Sequence, residues 1–574
     1  MNGSRIWNWR PKRGFLVIAL LFLLLFSART GQGKNVIVLV SDGMGSAHTT
    51  ITRWYKGAPL ALDQMDLGAV RTYSADSLVT DSAPAATAFA TGHKSSGKLL
   101  GVLPNEVTIP GVLAPPEDLK YKPVATILDA AKLYGKSVGL VATSNVQHAT
   151  PAAYSSHWHD RWDYQEIAKQ QVYLGMDVVL GGGKRYLIPR ELGGARSDQT
   201  NLIDTLRSRG YAFVETRDEL MKSRAKKVWG LFADDAMAYE FDRKYFFPKK
   251  EPSLAEMTRK AIEILSTNPR GFFLFVEASK VDWASHANDP IGVISDVLAF
   301  DDAVRVAIDF ARRDGKTLVL AFADHGTGGM TLGRRGSERD PSRVSLDALL
   351  APLKKARLTG EGVEQRLRDD LSEANIRKVM AQVYGIDDLR SEEVAQIQTH
   401  KRGRLNAVIG PMMSKRSVIG WATTGHTGED LFLYSFGTGR SIGLIENTEI
   451  ARLCANYLGV DLEAADKRLY REAQTVFKTL GASVRIDRTV KENPVLRVEK
   501  GSVTALLPLS KNLMKVRAVV SNSNVLEAEY ELEGIVVMAA PTGKVYVPEH
   551  ALIVFQSMLH HAEERGGAPA PLDK

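Results

Sequence analysis

Lys34-Asn35-Val36-Ile37-Val38-Leu39-Val40-Ser41-Asp42-Gly43-Met44-Gly45 is a short apolar, β-branched run that ends in an acid and two glycines. It reads as a strand buried on both faces with a functional loop at its carboxyl end, because a strand with one wet face would alternate instead. The pattern recurs. Gly271–Val276 leads into Glu277, and Thr317–Ala323 leads into Asp324-His325. Val138–Thr143 leads to Gln147-His148-Ala149-Thr150, and Leu431–Phe436 follows His426. Helical patterns such as Val124–Leu133 and Ile291–Arg312 lie between them. This alternation predicts an α/β fold, a doubly wound and mostly parallel sheet with helices on both faces. Ligands in such folds gather beyond the carboxyl ends of the strands. Acids and histidines stand at several of those ends, which histidines scattered through a core would not do.

Working outward, the catalytic domain is expected over 34–480, with two regions added to the α/β pattern. From about Leu346 to Lys415 the chain is charged and helical (Glu364–Leu371, Glu373–Tyr384, Glu392–His400) and holds no acid–histidine cluster. It reads as a cap or an interface insertion. After helical stretches at Glu449–Leu458 and Ala464–Leu480, short strands are expected at Val495–Val498, Lys515–Val520, Val525–Leu532 and Lys544–Val547. They suggest a small, independent β-rich module over 493–560, followed by a disordered tail over 563–574.

The composition narrows the class. The 574 residues are 44% hydrophobic and 24% charged, enough for one large core with additions. The net charge is +8, but the basic residues are interspersed with acids. That favours a mildly basic solvated surface and no specific nucleic-acid partner. The single cysteine, Cys454, excludes an intrachain disulfide and a cysteine metal cluster. Arg5, Arg10, Lys12 and Arg13 precede the apolar run Phe15–Phe26. That is a signal peptide in length and charge, so the chain is expected to be exported, periplasmic or secreted. Retention of residues 1–33 as an inner-membrane anchor is left open.

The chemistry centres on Thr80-Asp81-Ser82-Ala83-Pro84-Ala85-Ala86-Thr87-Ala88-Phe89-Ala90-Thr91-Gly92. A serine in the first turn of such a helix has free N–H groups and the positive end of the macrodipole nearby, which suits an anion. The plainer reading is an Asp-Ser helix cap. Separate stretches shift the balance. Glu277, Asp282 and His286 are spaced five and four apart, which lets Asp282 and His286 share a helical face. Asp324-His325 adds a carboxylate and an imidazole, and His426 lies in a glycine-flanked loop. Nitrogen and oxygen ligands without sulfur fit zinc, and an all-oxygen set fits magnesium.

On these residues the chain resembles the alkaline phosphatases, from about Lys34 to about Gly459. The matching motifs run in the family's order. They are Ser41-Asp42-Gly43-Met44-Gly45, the Thr80–Ala88 stretch, His148-Ala149-Thr150-Pro151-Ala152-Ala153 with Arg161 following, Glu277/Asp282/His286, Ala323-Asp324-His325 and Gly425-His426-Thr427-Gly428. The resemblance implies hydrolysis of small-molecule phosphate monoesters through a phosphoserine on Ser82. It implies two zinc ions, one on Asp282, His286 and His426, the other on Asp42, Asp324 and His325 with Ser82. It implies one magnesium ion on Asp42, Thr150 and Glu277, and a phosphate clamp at Arg161. His148 and Trp283 stand where the best-known bacterial pattern has an acid near the third metal and a lysine near the substrate phosphate, and with Arg161 they are the expected substrate-binding residues. A homodimer is left open. A phosphodiesterase or phosphomutase of the same superfamily is the alternative; the Ser82 stretch and Arg161 weigh against the phosphomutase, and phosphodiester substrates stay open because the insertion can reshape the mouth of the site.

Overall fold

The computed structural model describes residues 33–334, 343–440, 443–521 and 524–566. The expected export signal and the last residues of the expected tail lie outside them. One sheet carries the molecule. Its strands are β1 (Asn35–Ser41), β2 (Asp66–Arg71), β3 (Ser137–Asn145), β4 (Val178–Gly182), β5 (Ala212–Val214), β6 (Val228–Leu231), β7 (Phe272–Ala278), β8 (Thr317–Phe322), β9 (Leu431–Phe436) and β10 (Leu444–Glu446). Their order is β10-β2-β9-β8-β1-β7-β3-β4-β6-β5. Only β9 runs against its neighbours, β2 and β8, and the other pairings are parallel. The expected doubly wound sheet is present.

The centre of the sheet, β8-β1-β7, is buried along its whole length, as the unbroken apolar runs require. Val40 lies opposite both Glu277 and Phe322, so these three strands end together. Helices pack around this centre. In α1 (Ser82–Thr91) every residue is buried, which its alanine and threonine content permits. α2 (Ala149–Ser155) follows β3, and α3 (Lys280–His286) follows β7 directly. α4 (Pro290–Asp314) has Asp289 as its N-cap and proline in its first turn, two strong start signals.

The insertion contains α5 (Leu346–Lys355), α6 (Gly360–Leu367), α7 (Glu373–Val379), α8 (Ser391–Gln398) and α9 (Leu405–Arg416). The helix expected at Glu364–Leu371 starts earlier and stops at Leu367, where Arg368 takes φ +54°. The helix expected at Glu373–Tyr384 loosens into a π turn at Met380–Tyr384 and ends at Gly385. Leu353, Val363, Ile376 and Ile409 belong to the main core, so the insertion is packed onto the body. Two short antiparallel ladders close its base. Met330–Leu332 pairs with Ile419–Trp421, and Gly326–Thr327 pairs with His426–Thr427.

After α10 (Asn447–Leu458) the single helix expected at Ala464–Leu480 is two, α11 (Leu462–Leu469) and α12 (Ala473–Lys478). Tyr470 breaks the run because its hydroxyl is tied to His157 Nε2 (2.5 Å) and Asp129 Oδ2 (3.2 Å) inside the body. An antiparallel meander follows, comprising β11 (Ser483–Asp487), β12 (Val495–Lys500), β13 (Val503–Pro508), β14 (Leu513–Ser521) and β15 (Asn524–Glu531). Its inner face packs on α13 (Glu549–Gly566) in a second core that begins at Ala473, not near 493. α13 continues through 563–566, expected to be tail, in keeping with the helix propensity of Glu and Arg there. The module is not independent of the body. Ile535, Val537, Ala539 and Tyr546 are part of the main core.

Candidate active site

The topology alone brings three acids together. Asp42 follows β1, Glu277 is next to last in β7, and Asp324-His325 lies just beyond β8. These are adjacent strands ending at one level. Gly43 lets the next layer close on them. Its φ is +72°, and a Cβ there would lie 2.7 Å from Thr327 Oγ1 and 2.8 Å from Asp282 Cα. α3 therefore approaches the strand end and delivers Asp282 and His286. Ser82 opens α1, buried, with its Oγ 3.1 Å from His325 Nε2. Asp81 is the N-cap. The cap thus falls on the residue before Ser82 and leaves the Ser82 hydroxyl out of the capping role. The small ladder sets His426 opposite Thr327.

Three groups of candidate ligand atoms, each within 4.8 Å of one another, overlap here. They are Asp42/Asp324/His325, Asp42/His148/Glu277 and Asp282/His325/His426. His325 Nε2 is 3.5 Å from Asp42 and 3.4 Å from Asp324. His426 Nδ1 donates to the Thr80 carbonyl (2.9 Å) and His286 Nδ1 to the Thr424 carbonyl (2.6 Å). Each ring therefore turns its Nε2 inward. His286 Nε2 lies 3.3 Å from Asp282 Oδ2, at the rim and outside the three tight groups. His325 sits closer to the Asp282–His426 pair than the sequence suggested. His148, expected beside the substrate, also reaches Asp42 and Glu277.

The electrostatics are those of an anionic pit. Burial pushes Asp42 well above the usual carboxylate range, and Asp324, Asp282 and Glu277 add to it. Glu277 is pushed up to about 8, chiefly by burial. Burial raises Asp282 too, but its bond to His286 and the nearby imidazoles outweigh this and hold it below the usual range. Both Asp42 oxygens, Glu277 Oε1, Asp324 Oδ2 and Thr150 Oγ1 are buried and make no hydrogen bond. Leaving ionised carboxylates buried and unpaired is strongly unfavourable, so this donor set calls for cations. Oxygen and imidazole donors without sulfur fit divalent metal ions.

Arg161 closes the pit. It is nearly buried, with Nη1 donating to Asp81 Oδ1 (2.5 Å), Nη2 3.3 Å from His148 Nε2, and Nε unpaired. Burial would raise Asp81, but the guanidinium holds it lower. Burial, with Arg161 beside it, drives His148 down to about 3. The Trp283 ring meets His148 edge-on, centroids 5.8 Å apart. The sequence reading missed the Asp81–Arg161 pair, although Asp81 lies in the central stretch. It also missed Thr327, whose Oγ1 donates to Asp282 Oδ1 (2.6 Å), because nothing in the sequence aligns these two residues.

The family model for alkaline phosphatase matches residues 33–460, three quarters of the chain and every residue of the pit. The chain belongs to the alkaline phosphatase family. Alkaline phosphatase 3 of Bacillus subtilis is 37% identical over 454 residues, covering 76% of this chain and 91% of that protein. Among solved structures, the Thermus thermophilus alkaline phosphatase has a TM-score of 0.66 at 30% identity, covering 75% of this chain and 92% of that one. A histidine-to-glutamate mutant of the alkaline phosphatase from the Antarctic bacterium TAB5, with Mg bound in its M3 site, has a TM-score of 0.54 at 26% identity, covering 75% and 99%. Within this alkaline phosphatase family chain the match includes the insertion and stops at the end of α10, before the carboxyl-terminal module.

Proposed function

We propose that the chain is an exported, metal-dependent phosphomonoesterase that works through a phosphoserine on Ser82. The observation that carries this is the position of Ser82 Oγ, buried at the first residue of α1 beside His325 Nε2 and facing unpaired carboxylates. Asp282, His286 and His426 would hold one zinc ion, and Asp42, Asp324, His325 and Ser82 the second. Asp42, Thr150 and Glu277, with His148 alongside, would hold magnesium. The TAB5 mutant that holds Mg in its M3 site carries glutamate in place of a histidine, so the oxygen donors Asp42, Thr150 and Glu277 are the part of this set that fits magnesium. Bound, these ions supply Lewis acidity, lowering the pKa of hydroxyl and water and neutralising phosphate oxygens.

The chain's own residues do the rest. His325 orients the Ser82 hydroxyl through their 3.1 Å contact. A bond forms from Ser82 Oγ to phosphorus, the bond from phosphorus to the alcohol oxygen breaks, and the alcohol leaves with a proton. Water then cleaves the phosphoserine. Asp81 holds one arm of Arg161, so the free Nε–H and the Nη2 side face the phosphate in a fixed plane. Phosphoryl transfer has a loose transition state, so positioning and charge supply most of the acceleration.

The test is Ser82→Ala. It should abolish acid-stable phosphate labelling and lower turnover by several orders of magnitude. Stoichiometric labelling of the Ser82→Ala protein removes the serine from the mechanism. For export, cell fractionation with amino-terminal sequencing should find the chain in the periplasm or medium, either cut within the first 33 residues or held at the inner membrane.

A further inference from the structure

Above the pit lies a cleft of about 690 Å3 whose floor includes His148, Trp283 and His286. This is far more room than a phosphate needs and within the usual size of a ligand pocket. One wall is aromatic. Trp162 is 58% exposed, and Tyr164 stands beside it with ring centroids 6.3 Å apart. The insertion also contributes to the lining, through Arg404 and Asn406 among others.

Two cations, Lys280 and Arg404, and two anions, Asp235 and Glu361, line the cleft, and of these only Lys280 and Glu361 pair with each other. Lys280 is paired with Glu361 at 3.0 Å. Asp235 accepts from Asn145 Nδ2 (2.8 Å) and Tyr186 Oη (3.2 Å). Arg404 is exposed, and among the described residues its guanidinium has no hydrogen-bond or ion-pair partner. Its backbone, by contrast, is pinned. Glu364 accepts from the N–H groups on either side, Gly403 (2.6 Å) and Leu405 (3.4 Å), where the chain turns into α9. Asn406, 8% exposed, lines the same cleft with its Oδ1 unpaired. An exposed cation without a partner among the described residues thus lines the same cleft as two aromatic rings and three residues of the phosphate site, His148, Trp283 and His286.

We propose that this cleft is a leaving-group subsite. It takes substrates whose leaving group carries a flat ring and a further negative charge, and nucleoside diphosphates have both. Trp162 and Tyr164 read the ring by stacking, and Arg404 reads the extra charge. The inference rests on the phosphomonoesterase reading. In the reaction, ADP and water give AMP and phosphate; the bond from the terminal phosphorus to the bridging oxygen breaks, and AMP carries that oxygen away.

The test compares kcat/KM for ADP, AMP and glycerol 1-phosphate. AMP leaves as adenosine, a ring without charge, and glycerol has neither feature. Arg404→Ala and Arg404→Glu should lower the ADP-to-AMP ratio by about tenfold, mainly through KM, with Arg404→Lys recovering part of it. Tyr164→Ala should lower the AMP-to-glycerol-phosphate ratio. An unchanged ADP-to-AMP ratio in both charge variants overturns the proposal, as does an equal fall for all three substrates. If the unaltered protein releases no phosphate from either AMP or glycerol 1-phosphate, the phosphomonoesterase reading itself fails. If it does and the ratios stay put, only the subsite fails.

Discussion

At the scale of single residues, Arg161 is held by its neighbours at the edge of the pit. Asp81 fixes one amino group, His148 borders the other, and Trp162 lies under the plane at 4.8 Å. Arg161→Ala should weaken both product inhibition by phosphate and kcat/KM, by about 1.5–3 kcal/mol for the lost charge-assisted bonds. Metal content should stay constant, because no candidate ligand group includes Arg161. Loss of zinc from that variant, read by elemental analysis, removes Arg161 from the role of clamp. Asp81→Asn keeps the guanidinium charge but loosens its plane, so a smaller fall of the same kind is expected. Asp42, Glu277 and Asp324-His325 were legible in the sequence, since each sits where an apolar run stops. The Asp81–Arg161 pair was not, because a partner 80 positions away leaves no mark on spacing.

At the scale of elements, continuous apolar runs revealed the central strands, and the outer ones escaped. β5 has three residues, and β2 is only partly buried along the sheet's far side, so neither carries a pattern long enough to read. The insertion's contacts were invisible for another reason. They include polar groups buried against the body, such as Asp242, which accepts from Thr359 N–H (2.9 Å) and Oγ–H (2.5 Å). Burial pushes Asp242 up to about 7, and the Thr359 bonds oppose this only in part. A carboxyl raised in the folded state favours folding below its unfolded pKa, and that contribution is lost as pH rises through about 7. Asp242→Asn, permanently neutral, should flatten the decline in stability between about pH 4 and 7. Urea midpoints measured across that range check it, and an unchanged slope means Asp242 titrates normally. Gly43→Ala belongs to the same scale. The added methyl meets α3 and the Thr327 hydroxyl, so metal occupancy should fall while the fold survives, as elemental analysis and circular dichroism of one sample would reveal.

At the scale of the whole molecule, the body and the carboxyl-terminal module have separate cores joined by a seam. Tyr470 enters the body, and Ile535, Val537, Ala539 and Tyr546 cross back to it. The change from helical to strand patterning made the module visible in the sequence. The seam was hidden, because apolar residues do not announce which core they join. None of the pit's residues lies beyond His426. A chain stopped after Leu480 should therefore keep its phosphate release per metal-loaded molecule and unfold at a lower temperature, having lost the four seam residues. If activity per loaded chain collapses while the shortened protein stays folded and monodisperse, the module supports the site directly.

The two-residue ladder between Gly326–Thr327 and His426–Thr427 works as a collar. About a hundred residues leave and return through it, yet His325 and His426 stay stacked, with ring centroids 3.6 Å apart. Lengthening, trimming or replacing the chain between them need not disturb the spacing of the two rings. The collar uncouples the spacing of the two rings from the length and sequence of the chain it encloses.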